Sequence, residues 1–139
     1  MPPNTPQKQT ADIKRKVMLV DDDQFLLDMY AIKFTKAGFE VKTSDSTTNA
    51  LKLVHDGYVP DVLLSDIVMP DMDGLDFVDT LRKENLISGT VVIMLTNQGS
   101  SDDIARAKKL GVDGYIVKAT TIPSEVLEQV DKIYSSKKA

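Results

Sequence analysis

Short apolar runs alternate with helical periods along most of the chain. Four runs are almost purely apolar, and they cover residues 17–20, 62–64, 91–95 and 115–117. A continuous apolar run predicts a strand that is buried on both faces, which is typical of a parallel sheet. Residues 39–43 alternate between apolar and polar side chains instead, and this pattern predicts a strand at the edge of the sheet.

Five segments with helical spacing follow these runs. The first carries Phe25, Leu26, Met29 and Ile32 and can end at Gly38, and the second can begin with Ser46 as its cap. The other three have apolar residues at positions 75, 78 and 81, at 104, 107 and 110, and from 126 to 134. Alternating strands and helices predict a three-layer α/β fold, a doubly wound (βα)5 parallel sheet. The ligand site of such a fold lies beyond the carboxyl ends of its strands.

Length and composition narrow the possible functions. A chain of 139 residues predicts one folded domain, which we expect at 16–135, between a disordered leader at 1–15 and a short tail at 136–139. The absence of cysteine excludes disulfides and thiolate metal sites, and a single histidine leaves little for a histidine-based metal site. No apolar run approaches the ~18 residues of a membrane span. We therefore expect a cytoplasmic protein with no membrane partner.

The charge is distributed unevenly along the chain. The net charge is −4, but residues 1–16 carry +3 and residues 135–139 carry +2, so the body between them carries −9. An acidic body repels the phosphate backbone of DNA and RNA, and we expect no direct contact with nucleic acid.

Polar side chains stand where the predicted strands end. Asp21 and Asp22 follow the first strand, Asp66 ends the third, Thr96 ends the fourth and Lys118 follows the fifth. If these strands are neighbours, their ends converge, and carboxylates ~4 Å apart repel by ~4 kcal/mol at an effective dielectric constant of 20. A cation is therefore expected, and an all-oxygen ligand set favours Mg²⁺ or Mn²⁺. Such an ion beside an ammonium and a hydroxyl binds phosphoryl groups, which makes Asp66 a candidate nucleophile that forms an aspartyl phosphate.

These motifs resemble the response-regulator receiver domains of two-component signalling, the family that includes chemotaxis regulators. The resemblance is carried by residues 17–23, 61–74, 92–96 and 114–118, in that order, and it covers about residues 16–135. It implies a flavodoxin-like fold with strand order 2-1-3-4-5.

The resemblance also implies a role for each site residue. The metal ligands would be Asp22, Asp66 and the backbone carbonyl of Val68 directly, and Asp21 through water. Asp66 would be the phosphoacceptor, while Thr96 and Lys118 hold phosphoryl oxygens. Tyr115 would be the switch aromatic, which turns inward when Thr96 moves toward the phosphoryl group.

A phosphorylation-activated signalling switch is the function that this resemblance implies. The donor would be a sensor histidine kinase or a phosphotransfer protein, and the fourth helix, fifth strand and fifth helix would signal to an output protein that the sequence does not name. The domain would catalyse only its own phosphoryl transfer and dephosphorylation, without being an enzyme for an external substrate. It would be a monomer or a phosphorylation-dependent dimer.

Two alternatives stay open beside this interpretation. The chain could be the receiver of a larger DNA-binding regulator or hybrid kinase. It could also be a small phosphatase of the haloacid-dehalogenase type, although Pro70 separates the third strand from the Asp71–Gly74 motif that would carry that chemistry.

Two positions depart from the family pattern. One is Asn97 after Thr96, where receivers commonly have a small residue. The other affects the direction of Lys118. Receivers usually have a proline after the lysine, joined by a cis bond, and here Ala119 follows Lys118. A cis bond before a residue other than proline costs about 3–4 kcal/mol. Either the loop contains a strained cis bond between Lys118 and Ala119, or a different turn directs the Lys118 side chain.

Overall fold

The computed structural model describes residues 14–97 and 100–138, so most of the predicted leader lies outside the described residues. The strands are β1 (Lys16–Val20), β2 (Glu40–Ser44), β3 (Val62–Asp66), β4 (Val91–Thr96) and β5 (Gly114–Val117). The helices are α1 (Gln24–Lys36), α2 (Thr47–His55), α3 (Gly74–Lys83), α4 (Ser101–Lys109) and α5 (Pro123–Lys138). A 3₁₀ turn, Lys118–Thr120, joins β5 to the segment before α5.

All five strands are parallel, in the order β2-β1-β3-β4-β5. This order confirms the predicted (βα)5 sheet. The chain leaves β1 toward one edge of the sheet and returns at β3 to build toward the other. The order therefore reverses between β1 and β3, and their carboxyl ends, at Val20 and Asp66, lie at the switch point where such folds bind ligands.

The sheet separates two apolar layers. Val17 and Leu19 of β1 pack with the buried residues of α1 and α5, whereas Met18 and Val20 pack with those of α2, α3 and α4. Every residue of β3 and β4 is buried, as their continuous apolar patterns predict. In these two strands the polar side chains stand at the carboxyl ends, Ser65 and Asp66 in β3 and Thr96 in β4.

The apolar stripe that indicates α1 in the sequence is not the face that packs on the sheet. Phe25 is 73% exposed and Ile32 is 57% exposed, while the buried residues are Leu27, Tyr30 and Phe34. Both sets have helical spacing, so the period identifies the helix without selecting its buried face.

Two element boundaries differ from the sequence-based prediction. Strand β2 begins at Glu40 rather than at Phe39, whose ring packs edge-on against Phe34 with centroids 5.2 Å apart. Helix α5 continues past residue 135 to Lys138, which donates a hydrogen bond to the Gly89 carbonyl at 2.8 Å. Within the described part of the chain, no helix has the length and apolar character needed to cross a bilayer.

Candidate functional site

The three consecutive aspartates after β1 have different environments and different contacts. Asp21 is 1% exposed, and its Oδ1 accepts a hydrogen bond from the Asp23 amide at 2.9 Å. Asp23 is the N-cap of α1, since its carboxylate accepts from the Leu26 amide at 3.2 Å. Asp22 between them is exposed. The turn therefore directs one carboxylate inward, leaves one in contact with solvent and uses the third to begin a helix.

Asp66 ends β3 in a tightly packed backbone. Its side chain is 5% exposed, and the Ser65 hydroxyl donates to its main-chain carbonyl at 3.0 Å. The same carbonyl faces Gly74, where an added Cβ would lie 1.9 Å from the Asp66 oxygen. Only a residue without a side chain fits at that point, so Gly74 lets the loop after β3 close against the strand end.

The carboxylates of Asp21, Asp22 and Asp66 meet as predicted. One oxygen from each lies within 4.8 Å of an oxygen of both others. The set consists of hard oxygen donors with one exposed member, which suits a small divalent cation that keeps several of its waters. These residues fit Mg²⁺ or Mn²⁺. Val68, the expected carbonyl ligand, follows Asp66 by two residues and is 69% exposed.

Lys118 lies between two of these carboxylates. Its Nζ donates to Asp21 Oδ2 at 2.9 Å and to Asp66 Oδ2 at 3.0 Å, and its side chain is 5% exposed. Burial alone would lower the pKa of Lys118, but the hydrogen bonds and charges of Asp21 and Asp66 outweigh it, so that pKa lies above its usual value. Burial raises the pKa of Asp66, and the Lys118 ammonium opposes this rise.

A turn other than a cis peptide directs Lys118 into the pocket. The described residues contain no cis peptide bond. Instead, Lys118 opens a 3₁₀ turn that is closed by the Thr121 amide, which donates to the Lys118 carbonyl at 3.2 Å. Of the two possibilities that the sequence left open for Ala119, the structure has the different turn.

Thr96 lies one residue beyond the β4 partner of Asp66, and Tyr115 lies on the next strand of the sheet. Thr96 is 2% exposed at the end of β4. The preceding residue, Leu95, pairs with Asp66 of β3, and Thr96 itself pairs with Val117 of β5. Burial raises the pKa of Tyr115, with Asp103 of α4 adding to the rise and the Thr96 side chain opposing it. Tyr115 is half-buried and packs against the apolar layer that contains the buried residues of α2, α3 and α4.

An arginine that sequence reasoning did not single out connects α4 to the loop after β3. Arg106 donates to Asp73 at 3.2 Å and to Asp76 at 3.1 Å. Asp73 is also the N-cap of α3, accepting from the Asp76 amide at 2.8 Å. Gly74 and Arg106 belong to the surroundings of the site rather than to its chemistry, and only the three-dimensional structure reveals their contacts.

The comparisons with known proteins agree with this geometry. Residues 17–131 match the family model of the response regulator receiver domain. Among solved structures, the chemotaxis response regulator CheY4 of Vibrio cholerae is 30% identical with a TM-score of 0.79, covering 87% of this chain and 99% of that one. A CheY-like response regulator receiver domain protein from Methanospirillum hungatei is 25% identical with a TM-score of 0.82, covering 91% of this chain and 98% of that one.

Curated relatives are longer proteins. The probable transcriptional regulator ycf27 of Galdieria sulphuraria is 33% identical in a 130-residue alignment that covers 88% of this chain and 49% of that protein. The DNA-binding response regulator MtrA of Mycolicibacterium paratuberculosis is 31% identical over 118 residues, which are 85% of this chain and 50% of that protein. The chain spans about half the length of these relatives.

The same class of protein is indicated by the order of the strands, by the site at the strand ends and by the match to the family model. The fold and the acidic pocket define a receiver domain, the phosphorylation-activated switch of two-component signalling. The chain belongs to the response regulator receiver domain family. Members of this family bind Mg²⁺ in an acidic pocket, and here that pocket corresponds to the aspartate cluster after β1 and β3.

Proposed function

We propose that Asp66 is the phosphoacceptor of this receiver and that the reaction depends on Mg²⁺ or Mn²⁺. One observation carries the proposal: the Lys118 ammonium lies between Asp21 and Asp66, with Asp22 completing a group of three carboxylates. Phosphoryl transfer requires positive charge around the incoming phosphoryl group. This pocket supplies it from the Lys118 ammonium and from a metal ion that the carboxylates would hold. Asp21, Asp22, Asp66 and the Val68 carbonyl would hold the metal.

The chemistry is a displacement at phosphorus. A carboxylate oxygen of Asp66 forms a bond to the phosphorus atom while the bond from phosphorus to the donor's leaving group breaks. Bound metal would neutralise charge on the phosphoryl oxygens as they approach. Lys118 would hold one of these oxygens and Thr96 another, through charge-assisted hydrogen bonds. The domain would also hydrolyse its own aspartyl phosphate, without acting on an external substrate.

Phosphorylation would be read out at the face formed by α4, β5 and α5. A phosphoryl group adds roughly −1.5 to −2 charges to the pocket. Thr96 would move toward it, and Tyr115 would follow into the space between Thr96 and α4. This route is supported by the position of Tyr115, which is half-buried on β5 opposite Met94, two residues before Thr96. The donor would be a phosphohistidine of a sensor kinase or a phosphotransfer protein.

A second arrangement, a receiver joined to a DNA-binding output domain, is favoured by one observation. Relatives that carry the name of DNA-binding response regulator or transcriptional regulator are about twice as long as the part that matches. In this arrangement the acidic receiver would not contact DNA itself. The sequence of the complete gene decides between a separate receiver and such a regulator.

The experiment that tests the proposed function is phosphorylation with a small donor. Acetyl phosphate with Mg²⁺ should add one phosphoryl group, and EDTA should prevent it. Absence of labelling with Mg²⁺ present, in a protein whose circular dichroism shows it folded, would overturn the proposal. Turnover of an external phosphate ester would favour the phosphatase alternative instead.

A further inference from the structure

The loop between β3 and α3, residues 67–73, is fastened to the protein at its two ends. At its start, the Ile67 amide donates to the Leu95 carbonyl at 3.2 Å, and the Gly74 amide donates back to the Ile67 carbonyl at 2.7 Å. At its end, Asp73 caps α3. Val68 lies between these anchors and is 69% exposed, so its backbone position depends on what holds the rest of the loop.

A third anchor joins the middle of the loop to the beginning of α2. The Asp71 carboxylate accepts hydrogen bonds from the Thr47 hydroxyl at 2.9 Å, the Thr48 amide at 2.9 Å and the Thr48 hydroxyl at 2.5 Å. The Thr47 hydroxyl is also 2.6 Å from the Met72 carbonyl. These contacts use the free amide and hydroxyl groups of the first helical turn, where a negative charge is stabilised.

The contacts to Asp71 are charge-assisted, because a carboxylate accepts each of them. The Thr48 hydroxyl and amide, together with the Thr47 hydroxyl, hold the pKa of Asp71 below its usual value, as expected for a carboxylate that accepts several hydrogen bonds. Thr47 is fully buried, and α2 packs on the sheet through Ala50 and Val54. Asp71 is therefore attached to a rigid part of the molecule, not to another loop.

We propose that Asp71, through Thr47 and Thr48, is a positioning residue that fixes loop 67–73 so that the Val68 carbonyl can complete the metal site. The proposal rests on the proposed function. It assigns Asp71 no contact with metal or phosphoryl group. Residues that orient metal ligands from outside change metal affinity by about 10–100-fold when they are removed.

The test measures Mg²⁺ binding to the unphosphorylated protein by titration calorimetry, together with phosphorylation by acetyl phosphate at saturating Mg²⁺. We expect Asp71→Ala to raise the Kd for Mg²⁺ about tenfold. Thr48→Val, which removes one hydroxyl, should raise it less, and the conservative Thr48→Ser should restore it. At saturating Mg²⁺ the labelling rates of all these variants should approach that of the wild type, because the phosphoacceptor and Lys118 are unchanged.

Ser46→Ala is the matched control. Ser46 caps the same helix by accepting from the Asn49 amide at 3.0 Å, and this hydrogen bond involves the first turn of α2 and not the loop. The control should lower the melting temperature and leave the Kd for Mg²⁺ unchanged. If Asp71→Ala behaves in the same way, its role is only structural and the proposal is wrong.

The outcome for the wild type separates this proposal from the proposed function. A wild type that neither binds Mg²⁺ nor takes a phosphoryl group overturns the proposed function and the role of Asp71 with it. A wild type that does both, beside an Asp71→Ala variant with unchanged Kd, overturns the role of Asp71 alone.

Discussion

The Lys118 ammonium is 3.0 Å from Asp66 Oδ2, and the side chains of both residues are 5% exposed. Asp21, also buried, accepts a second hydrogen bond from the same ammonium at 2.9 Å. A buried charge without a partner of opposite charge destabilises the folded protein. The main effect of the contacts among Lys118, Asp21 and Asp66 is therefore that none of these charges is left unpaired. Without metal, Lys118 is the cation that makes two buried carboxylates tolerable.

Replacing Lys118 with methionine should therefore destabilise the metal-free protein. Lys118→Met keeps a long apolar side chain but leaves Asp21 and Asp66 without their cation, and we expect a loss of about 3–5 kcal/mol in the free energy of unfolding in EDTA. Saturating Mg²⁺ should recover part of the loss, because it supplies positive charge to the same carboxylates. Urea denaturation with and without Mg²⁺ measures both effects.

Lys109→Met is the control for that experiment. It removes the same charge from an exposed position on α4, and its effect should stay within about 0.5 kcal/mol. Equal stability of Lys118→Met and the wild type in EDTA would contradict the role of the ammonium.

Gly74→Ala tests the close approach between α3 and Asp66. An added Cβ would lie 1.9 Å from the Asp66 carbonyl oxygen, so the backbone must shift, at an expected cost of about 1–3 kcal/mol. The shift would also move the Asp66 side chain and slow its phosphorylation by acetyl phosphate.

Gly89→Ala offers a matched comparison, because nothing lies within 4 Å of its added Cβ. This variant should be neutral or more stable by about 0.4–1 kcal/mol, and its phosphorylation should be unchanged. Similar behaviour of the two variants in thermal unfolding and in labelling would refute the packing argument.

Arg106→Gln should loosen α4. Arg106 bridges α4 to Asp73 and Asp76, but its side chain is 44% exposed, so the loss in global stability should be small, at most about 1 kcal/mol. We expect faster amide hydrogen exchange that is confined to α4. In the wild type, local opening of α4 must break the ion pairs of Arg106, and without them the free energy of opening is lower. Lys108→Gln, an exposed change on the same helix, should leave the exchange rates unaltered. Identical exchange in both variants would show that the bridge does not hold α4.

The contribution of Asp71 should depend on pH. Hydrogen bonds from Thr48 and Thr47 hold the pKa of Asp71 in the folded protein below its usual value, so folding favours the ionised carboxylate. Its stabilising effect is then complete above the pKa in the unfolded chain, about 3.9, and is lost as the pH falls toward the pKa in the folded state. The difference in unfolding free energy between the wild type and Asp71→Asn should therefore shrink below about pH 4. A difference that stays constant down to pH 3 would contradict this account.

Local patterns were sufficient for the strands and for the acidic pocket. Buried parallel strands are continuous apolar runs, and the polar residues that end them, such as Asp66 and Thr96, mark where the ends converge. The predicted strand order came from the family resemblance. Helix caps such as Ser46 were also readable, because a cap acts within four residues of sequence.

Contacts between segments that are distant in sequence could not be predicted from local sequence patterns. Two apolar stripes of α1 have the same period, and only the packing of the sheet determines that Leu27 is buried and Phe25 exposed. The approach of Gly74 to Asp66 and the anchoring of Asp71 on Thr48 depend on how helices meet loops. The direction of Lys118 depends on a turn whose sequence departs from the family pattern.

Intact-mass measurement after treatment with acetyl phosphate and Mg²⁺ tests the central claim most directly. The wild type should gain the mass of one phosphoryl group, whereas Asp66→Asn, which keeps the size of the side chain but lacks the nucleophilic carboxylate, should gain none. Gain of one phosphoryl group by Asp66→Asn to the same extent as the wild type would contradict the assignment of Asp66 as the phosphoacceptor.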